Sequence, residues 1–354
     1  MIIYHNFIHY HSILKNKYYW IKIMRHFTII LITLLVGQFN CKAQSGYKIP
    51  ENIKKILFLG NSITYAGQYI SYIEAYIKIH HPNQQFLIIN CRLPSETVSG
   101  LSEENHAGGR FPRPDLHERL ERVLTQIKPD LVFASYGMND GIYLSFDDNR
   151  FQKYKEGINW LHNEVIKTGA IIIHLTPPVF DERKGKEYAN VLDIYSDWLI
   201  SCRYTKNWEV IDIHWPMRKY LENKREYDST FMYAKDGVHP NEIGHWVMAK
   251  QVLLFLGEIQ IAKEDDFMSS ISNNKNGAEI LKLIEERQAI IKDAWLTSTG
   301  HKRPEMKVGL PLSEANLKAE AIEIQIRNLV NEESYQLKLK CTRKDSREVS
   351  KLSH

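Results

Sequence analysis

Three short stretches of this 354-residue chain set reactive side chains just beyond apolar runs. Gly60-Asn61-Ser62-Ile63-Thr64 follows Ile56-Leu57-Phe58-Leu59, and Asp236-Gly237-Val238-His239-Pro240 puts a carboxylate three residues before a histidine. A serine hydroxyl is a weak nucleophile until a base takes its proton, and an imidazole does this best when a carboxylate fixes its tautomer and steadies its charge. Ser62, His239 and Asp236 together have the makings of a hydrolytic triad. Gly137-Met138-Asn139-Asp140 follows Leu131–Ala134, so the Asn139 amide stands where an oxyanion donor is wanted. Taken alone, Asp-x-x-His also fits a helix N-terminal cap with a surface histidine. Ser62 and Asn139 favour the catalytic reading, because separate roles then converge on one site.

The elements that must carry these residues alternate along the chain. Apolar runs with few polar breaks occur at Lys55–Leu59, Phe86–Asn90, Leu131–Ser135, Ala170–Leu175 and Glu209–Ile213. Continuous apolarity suits strands covered on both faces, hence a parallel sheet. Between them, apolar residues recur at helical spacing over 69–77, 116–127, 154–166 and 191–199, and again over 243–253. This order predicts a three-layer α/β/α fold with a five-stranded, flavodoxin-like parallel sheet, in which sites lie beyond the carboxyl ends of the strands. Ser62, Ser95, Asn139 and Pro177-Pro178 all follow strand ends.

These blocks resemble the SGNH (GDSL-type) hydrolase superfamily from about residue 54 to 256. The resemblance implies Ser62 as nucleophile, His239 as base, Asp236 as its partner, and an oxyanion hole of Asn139 with the backbone N–H groups of Ser62 and Ser95. Two departures stand out. The first block reads Gly-Asn-Ser rather than Gly-Asp-Ser. In the second, Asn90-Cys91-Arg92-Leu93-Pro94-Ser95-Glu96-Thr97, Ser95 stands where the family has glycine, and Arg92 where glycine is frequent. Serine keeps the N–H donor but resists backbone angles that glycine tolerates.

Residues 1–43 read as an upstream segment and a secretory leader. Met24-Arg25-His26 begins it, an apolar run from Phe27 to Val36 follows, and Cys41-Lys42-Ala43 has small residues at the cleavage-reading positions. Cleavage after Ala43 predicts a periplasmic or extracellular product; a lipid-modified Cys41 and an uncleaved anchor are the alternatives. The leader holds five cations and no acid, so its loss takes the formal net charge from +4 to −1. A nucleic-acid partner, which needs a basic surface, loses its support. Cys91, Cys202 and Cys341 remain, odd in number and without Cys-x-x-Cys spacing, which favours buried free thiols over a disulfide. No phosphate loop, dinucleotide fingerprint or zinc-ligand spacing is present, and no metal or organic cofactor is expected.

The hydrolase domain is expected over 44–258, a helical C-terminal extension over 259–339 with a turn-rich linker at Ser269–Gly277, and a disordered, charged tail over 340–354. The extension's two amphipathic helices should pack on the α/β domain or on another subunit. Its break, Trp295 with His301 to Arg303, can rim the site or act as a structural clasp. The loop Ser99–Pro114 points to substrate, with Arg110 and Phe111 suited to a polar or sugar-bearing molecule. Tyr136 and other aromatics near the strand ends, Tyr143, Phe146 and Trp215, suit sugar stacking or the core. The resulting expectation is an exported serine esterase acting on short acyl, chiefly acetyl, esters of a small-molecule or polysaccharide substrate. It has no stable membrane span in the mature form. Alternatives are a lysophospholipase or thioesterase of the same fold, and a catalytically weakened carbohydrate-binding protein.

Overall fold

Strands β1 (Lys55–Gly60), β2 (Leu87–Asn90), β3 (Leu131–Ser135), β4 (Ile171–Leu175) and β5 (Glu209–Ile211) form one sheet in the order β2-β1-β3-β4-β5, every neighbour parallel. This computed structural model describes residues 46–351, those from 333 onward as backbone only, and the elements below lie in one compact unit beginning at Tyr47. The expected leader, its cleavage site and Cys41 lie outside the described residues. All of β3 and all of β1 after Lys55 are buried, so helices cover both faces, as unbroken apolarity implies. The order reverses at β1, and Gly60 pairs with Ser135 at the carboxyl ends of β1 and β3. Loops leaving these two strands therefore open onto the same edge, the switch point where ligands of such sheets bind.

Helices α1 (Ser62–Ala66) and α2 (Gln68–His80) follow β1. Then come α3 (Leu120–Ile127), α4 (Asp148–Lys167), α5 (Lys186–Thr205), α6 (His214–Tyr227) and α7 (Glu242–Phe255). Helix α2 packs on α7, α4 on β4 and α5 on β5. In α4, Gly157 is fixed by close approach: a Cβ there would stand 2.1 Å from the Val98 carbonyl oxygen. That contact seats the loop after β2 against the helix. Helix α6 has no counterpart in the apolar pattern, because only His214, Met217 and Leu221 of its fourteen residues are buried. Strand β5 ends before the expected Ile213, where Asp212 turns inward and its carboxylate accepts from the Trp215 N–H and the Thr176 hydroxyl.

The C-terminal extension docks on the hydrolase domain. Residues 258–276 are a packed connection, with α8 (Phe267–Ser270) stacking Phe267 on Tyr72 at 4.3 Å. Helix α9 (Gly277–Thr299) lies along α2 and β2, and α10 (Leu312–Lys351) lies on α9. A charged chain ties them: Arg287 bridges buried Glu74 to Glu323 (2.8 Å), which also meets Lys78 at 2.7 Å. Residues 340–351, part of the stretch 340–354 read from composition as a disordered tail, continue the helix; they include Lys340, Arg343, Lys344, Arg347 and Lys351, straight-chain residues that helices accept readily. No helix among the described residues is long and apolar enough to cross a membrane.

Candidate active site

The chain leaves β1 through Asn61, whose Oδ1 accepts the Ile63 N–H at 3.2 Å and starts α1 with Ser62 as its first residue. Ser62 Oγ lies 2.7 Å from His239 Nε2, and His239 Nδ1 lies 2.6 Å from Asp236 Oδ2. An ionised carboxylate only accepts, so Nδ1 carries the proton and Nε2 is left to accept the serine's. Asp236 Oδ1 takes the backbone N–H groups of Val238 and His239, both at 2.9 Å. Partial burial alone would raise this carboxyl, but the hydrogen bonds from His239 and the backbone overcome it and hold it at about 2. The His239 and Asp236 side chains are 51% and 55% exposed. A cavity of about 450 Å³ opens beside them, lined also by Met232, Tyr233, Lys235 and Asn241.

The opposite side is built from the loops after β2 and β3. Gly137 needs to be glycine, since φ is 122° and a Cβ would meet the Pro177 ring at 2.9 Å. Asn139 is buried; its Oδ1 accepts the Tyr143 hydroxyl at 3.0 Å and its Nδ2 donates to the Glu96 carbonyl at 3.1 Å. One of the two amide N–H bonds is thus used, leaving the second for a reacting oxygen. Asp140 locks the two loops together, accepting the N–H groups of Gly137, Val98 and Ser99 at 2.8, 2.8 and 2.9 Å. Ser95 adopts φ 66°, the left-handed conformation natural to glycine. A non-glycine residue holds this conformation at a cost of about 1–2 kcal/mol.

Residues 58–247 match the GDSL-like lipase/acylhydrolase family, a span that includes all of these motifs. The chain belongs to that family. It is accordingly a carboxylic ester hydrolase. Structures similar to this acylhydrolase include Axe2, an acetylxylan esterase from Geobacillus stearothermophilus (22% identity, TM-score 0.47, covering 60% of this chain and 97% of that one). Others are BT4096, a gut microbial diltiazem-metabolizing enzyme (21%, TM-score 0.47, 60% and 49%), and LAE5, an alpha/beta hydrolase enzyme from the metagenome of Lake Arreo, Spain (22%, TM-score 0.45, 58% and 95%). The chain thus covers about half the length of BT4096. No curated protein matches it.

The other residues singled out from the sequence have different surroundings. Arg110 is exposed and pairs with Glu305, and Phe111, half-buried, lies under the Arg110 and Arg303 guanidinium groups at 5.8 and 5.3 Å. Tyr136, expected at the substrate, is instead core: it is 1% exposed, and its hydroxyl donates to Glu96 Oε2 at 2.7 Å. It directly follows a fully buried strand and inherits that burial. Trp215 lies at the start of α6, donating to Asp197 at 2.9 Å. Cys91 and Cys202 are buried free thiols, both pushed up by burial.

Arg92 and Glu96 have roles that the sequence did not disclose. The Glu96 carboxylate forms a fully buried bidentate pair with Arg119, at 2.6 and 2.8 Å. Arg92 is fully buried over the Phe58 and Tyr69 rings, donates to the Thr64 carbonyl at the end of α1, and is pushed down by burial to about 10. A charged residue inside an apolar-flanked motif was the available signal, since buried charge needs a partner.

Proposed function

We propose that the protein is an exported serine esterase that removes acetyl or similar short acyl groups from carbohydrate. In this reading Ser62 Oγ attacks the ester carbonyl carbon while His239 Nε2 takes its proton. The oxyanion is held by the Asn139 amide and the N–H groups of Ser62 and Ser95. Collapse breaks the bond to the sugar oxygen, which leaves with the proton from His239. Water, deprotonated by the same imidazole, then attacks the acyl-serine, and its collapse releases the acid and restores Ser62. Asp236 keeps the imidazole in the required tautomer and balances its charge.

The observation that carries this reading is the continuous hydrogen-bonded chain from Ser62 through His239 to Asp236, at 2.7 and 2.6 Å. Support for a polar acyl carrier comes from the half-exposed base and carboxylate, and from the Phe111 ring edged by arginines. Export rests on the leader-like run from Met24 to Ala43.

The test is hydrolysis of p-nitrophenyl esters from acetate to decanoate, with Ser62→Ala beside the natural protein. The expected result is fastest turnover on acetate and a drop of roughly a millionfold in kcat for the variant. Undiminished turnover by Ser62→Ala removes the assignment of the nucleophile. A decanoate optimum replaces the carbohydrate ester with a lipid one.

A further inference from the structure

The C-terminal extension meets the oxyanion side of the site at several points, among them Thr299, whose hydroxyl lies 3.7 Å from Cys91 Sγ, and Arg303. Arg303 Nε donates to the Pro94 carbonyl at 3.0 Å, while its guanidinium lies over the Phe111 ring. The two carbonyls that follow are held from elsewhere: Ser95 O by Arg113 Nη1 at 3.4 Å and Glu96 O by Asn139 Nδ2 at 3.1 Å. Three consecutive peptides are thereby gripped by three separate segments. The turn bearing Arg303 is itself anchored, because Arg122 of α3 donates to Thr299 O (2.9 Å) and Gly300 O (3.3 Å), and Gly309 N–H donates to Thr297 Oγ1 at 2.7 Å. The extension also holds the nucleophile helix, with Lys292 Nζ on Tyr65 O at 3.3 Å.

The Pro94 carbonyl and the Ser95 N–H are two ends of one planar, trans peptide unit. Fixing the oxygen fixes the direction of the N–H, and a hydrogen bond at the oxygen polarises the unit and strengthens the N–H as a donor. Ser95 needs such a hold more than a glycine would, because a non-glycine residue in the left-handed region persists only where its surroundings over-determine it. We propose that Arg303 is a positioning residue for the reaction, acting through the Pro94–Ser95 peptide to aim the Ser95 N–H at the oxyanion. The C-terminal extension is therefore a working part of the active site, an inference that rests on the serine-esterase reading above.

The test is a double-mutant cycle in the full chain. kcat and KM for p-nitrophenyl acetate are measured for the natural protein, Arg303→Ala, Arg303→Lys, Ser95→Gly and Ser95→Gly/Arg303→Ala, with Ser62→Ala as the control. Arg303→Ala should lower kcat about tenfold or more, with KM within about twofold, a fraction of the roughly hundredfold for losing a donor outright. Arg303→Lys should retain part of the rate. In the Ser95→Gly background the loss should shrink, because glycine holds this conformation unaided. Natural kcat in Arg303→Ala, or the same fold-loss in both backgrounds, overturns the proposal.

A second readout needs no turnover. Pro94-Ser95 is the one Pro-Ser pair in the chain, so carbonyl-13C proline with 15N serine labels this peptide alone for NMR. Its amide signal should shift in Arg303→Ala and stay in place in Lys302→Gln, which removes the neighbouring, 84% exposed cation of the same turn. An unmoved signal in Arg303→Ala overturns the positioning role. If the natural protein shows no Ser62-dependent turnover but the amide signal still moves, the esterase reading fails while the structural link stands.

Discussion

Asn139 and Asp236 make complementary demands on the chemistry. In the mechanism proposed above, Asn139→Ala removes a donor that matters only once charge develops on the carbonyl oxygen, so kcat should fall about 100- to 1000-fold with KM little changed. Steady-state kinetics on p-nitrophenyl acetate checks the split; an equal rise in KM would mean that Asn139 binds the ground state. Asp236→Asn should lower kcat roughly 1000- to 10000-fold, because an amide at that position no longer enforces the imidazole tautomer. The pH profile carries a sharper statement. Asp236 stays ionised down to about pH 2, held there by His239 and the backbone N–H groups against the effect of burial. The carboxylate then adds no ionisation of its own on the acid side, and log kcat/KM should rise there with a slope of one rather than two. A slope of two would mean that the carboxylate titrates as well.

At the scale of elements, the strands and the large helices were legible because buried parallel strands and amphipathic helices leave different periods in a sequence. Ser62, Asn139 and the Asp236–His239 pair were legible for a related reason: each sits within a few residues of a strand end or a helix start, so local pattern locates it. Contacts between elements left no such trace. Helix α6 buries too few residues to show a stripe, and Tyr136 points inward where aromatic composition alone allows either direction. The burial of Arg92, Arg119 and Glu96 depends on such contacts between elements. The buried Glu96–Arg119 pair ties the Ser95 loop to the start of α3, and Arg119→Met should destabilise the fold by about 3–5 kcal/mol, because Glu96 is left without its cation. Urea unfolding monitored by circular dichroism measures this. A change under about 1 kcal/mol would mean that Tyr136 and local relaxation suffice to hold Glu96.

Considered whole, the molecule stores several neutral histidines. Burial pushes His162 down to about 4, aided by Lys206, and His174 to about 3, aided by His162; His245 falls to about 4, through burial, Arg92 and His239. His162 and His174 stack against Trp208 with Nδ1 and Nε2 3.0 Å apart. In the unfolded chain these rings take up protons below about pH 6.5, while the folded state keeps them neutral until about pH 4. The unfolded state thus binds more protons across that window, so the unfolding midpoint should drop as pH falls from about 6.5 to 4. Calorimetry across that range, with His162→Gln beside the natural protein, should show a shallower fall in the variant. Parallel curves would assign the acid sensitivity to carboxylates.

The half-exposed Asp236–His239 pair governs what can approach it. A nucleophile sunk in a tunnel accepts only esters at the tips of slender chains, whereas the proposed nucleophile, Ser62, meets a half-exposed imidazole. In the serine-esterase reading, the bulk behind the ester should then not slow the first bond-forming step. A fluorophosphonate tethered to a dextran chain should inactivate the protein about as fast as the free reagent, and immobilised or gel-bound esters become accessible to a single diffusing molecule without prior fragmentation.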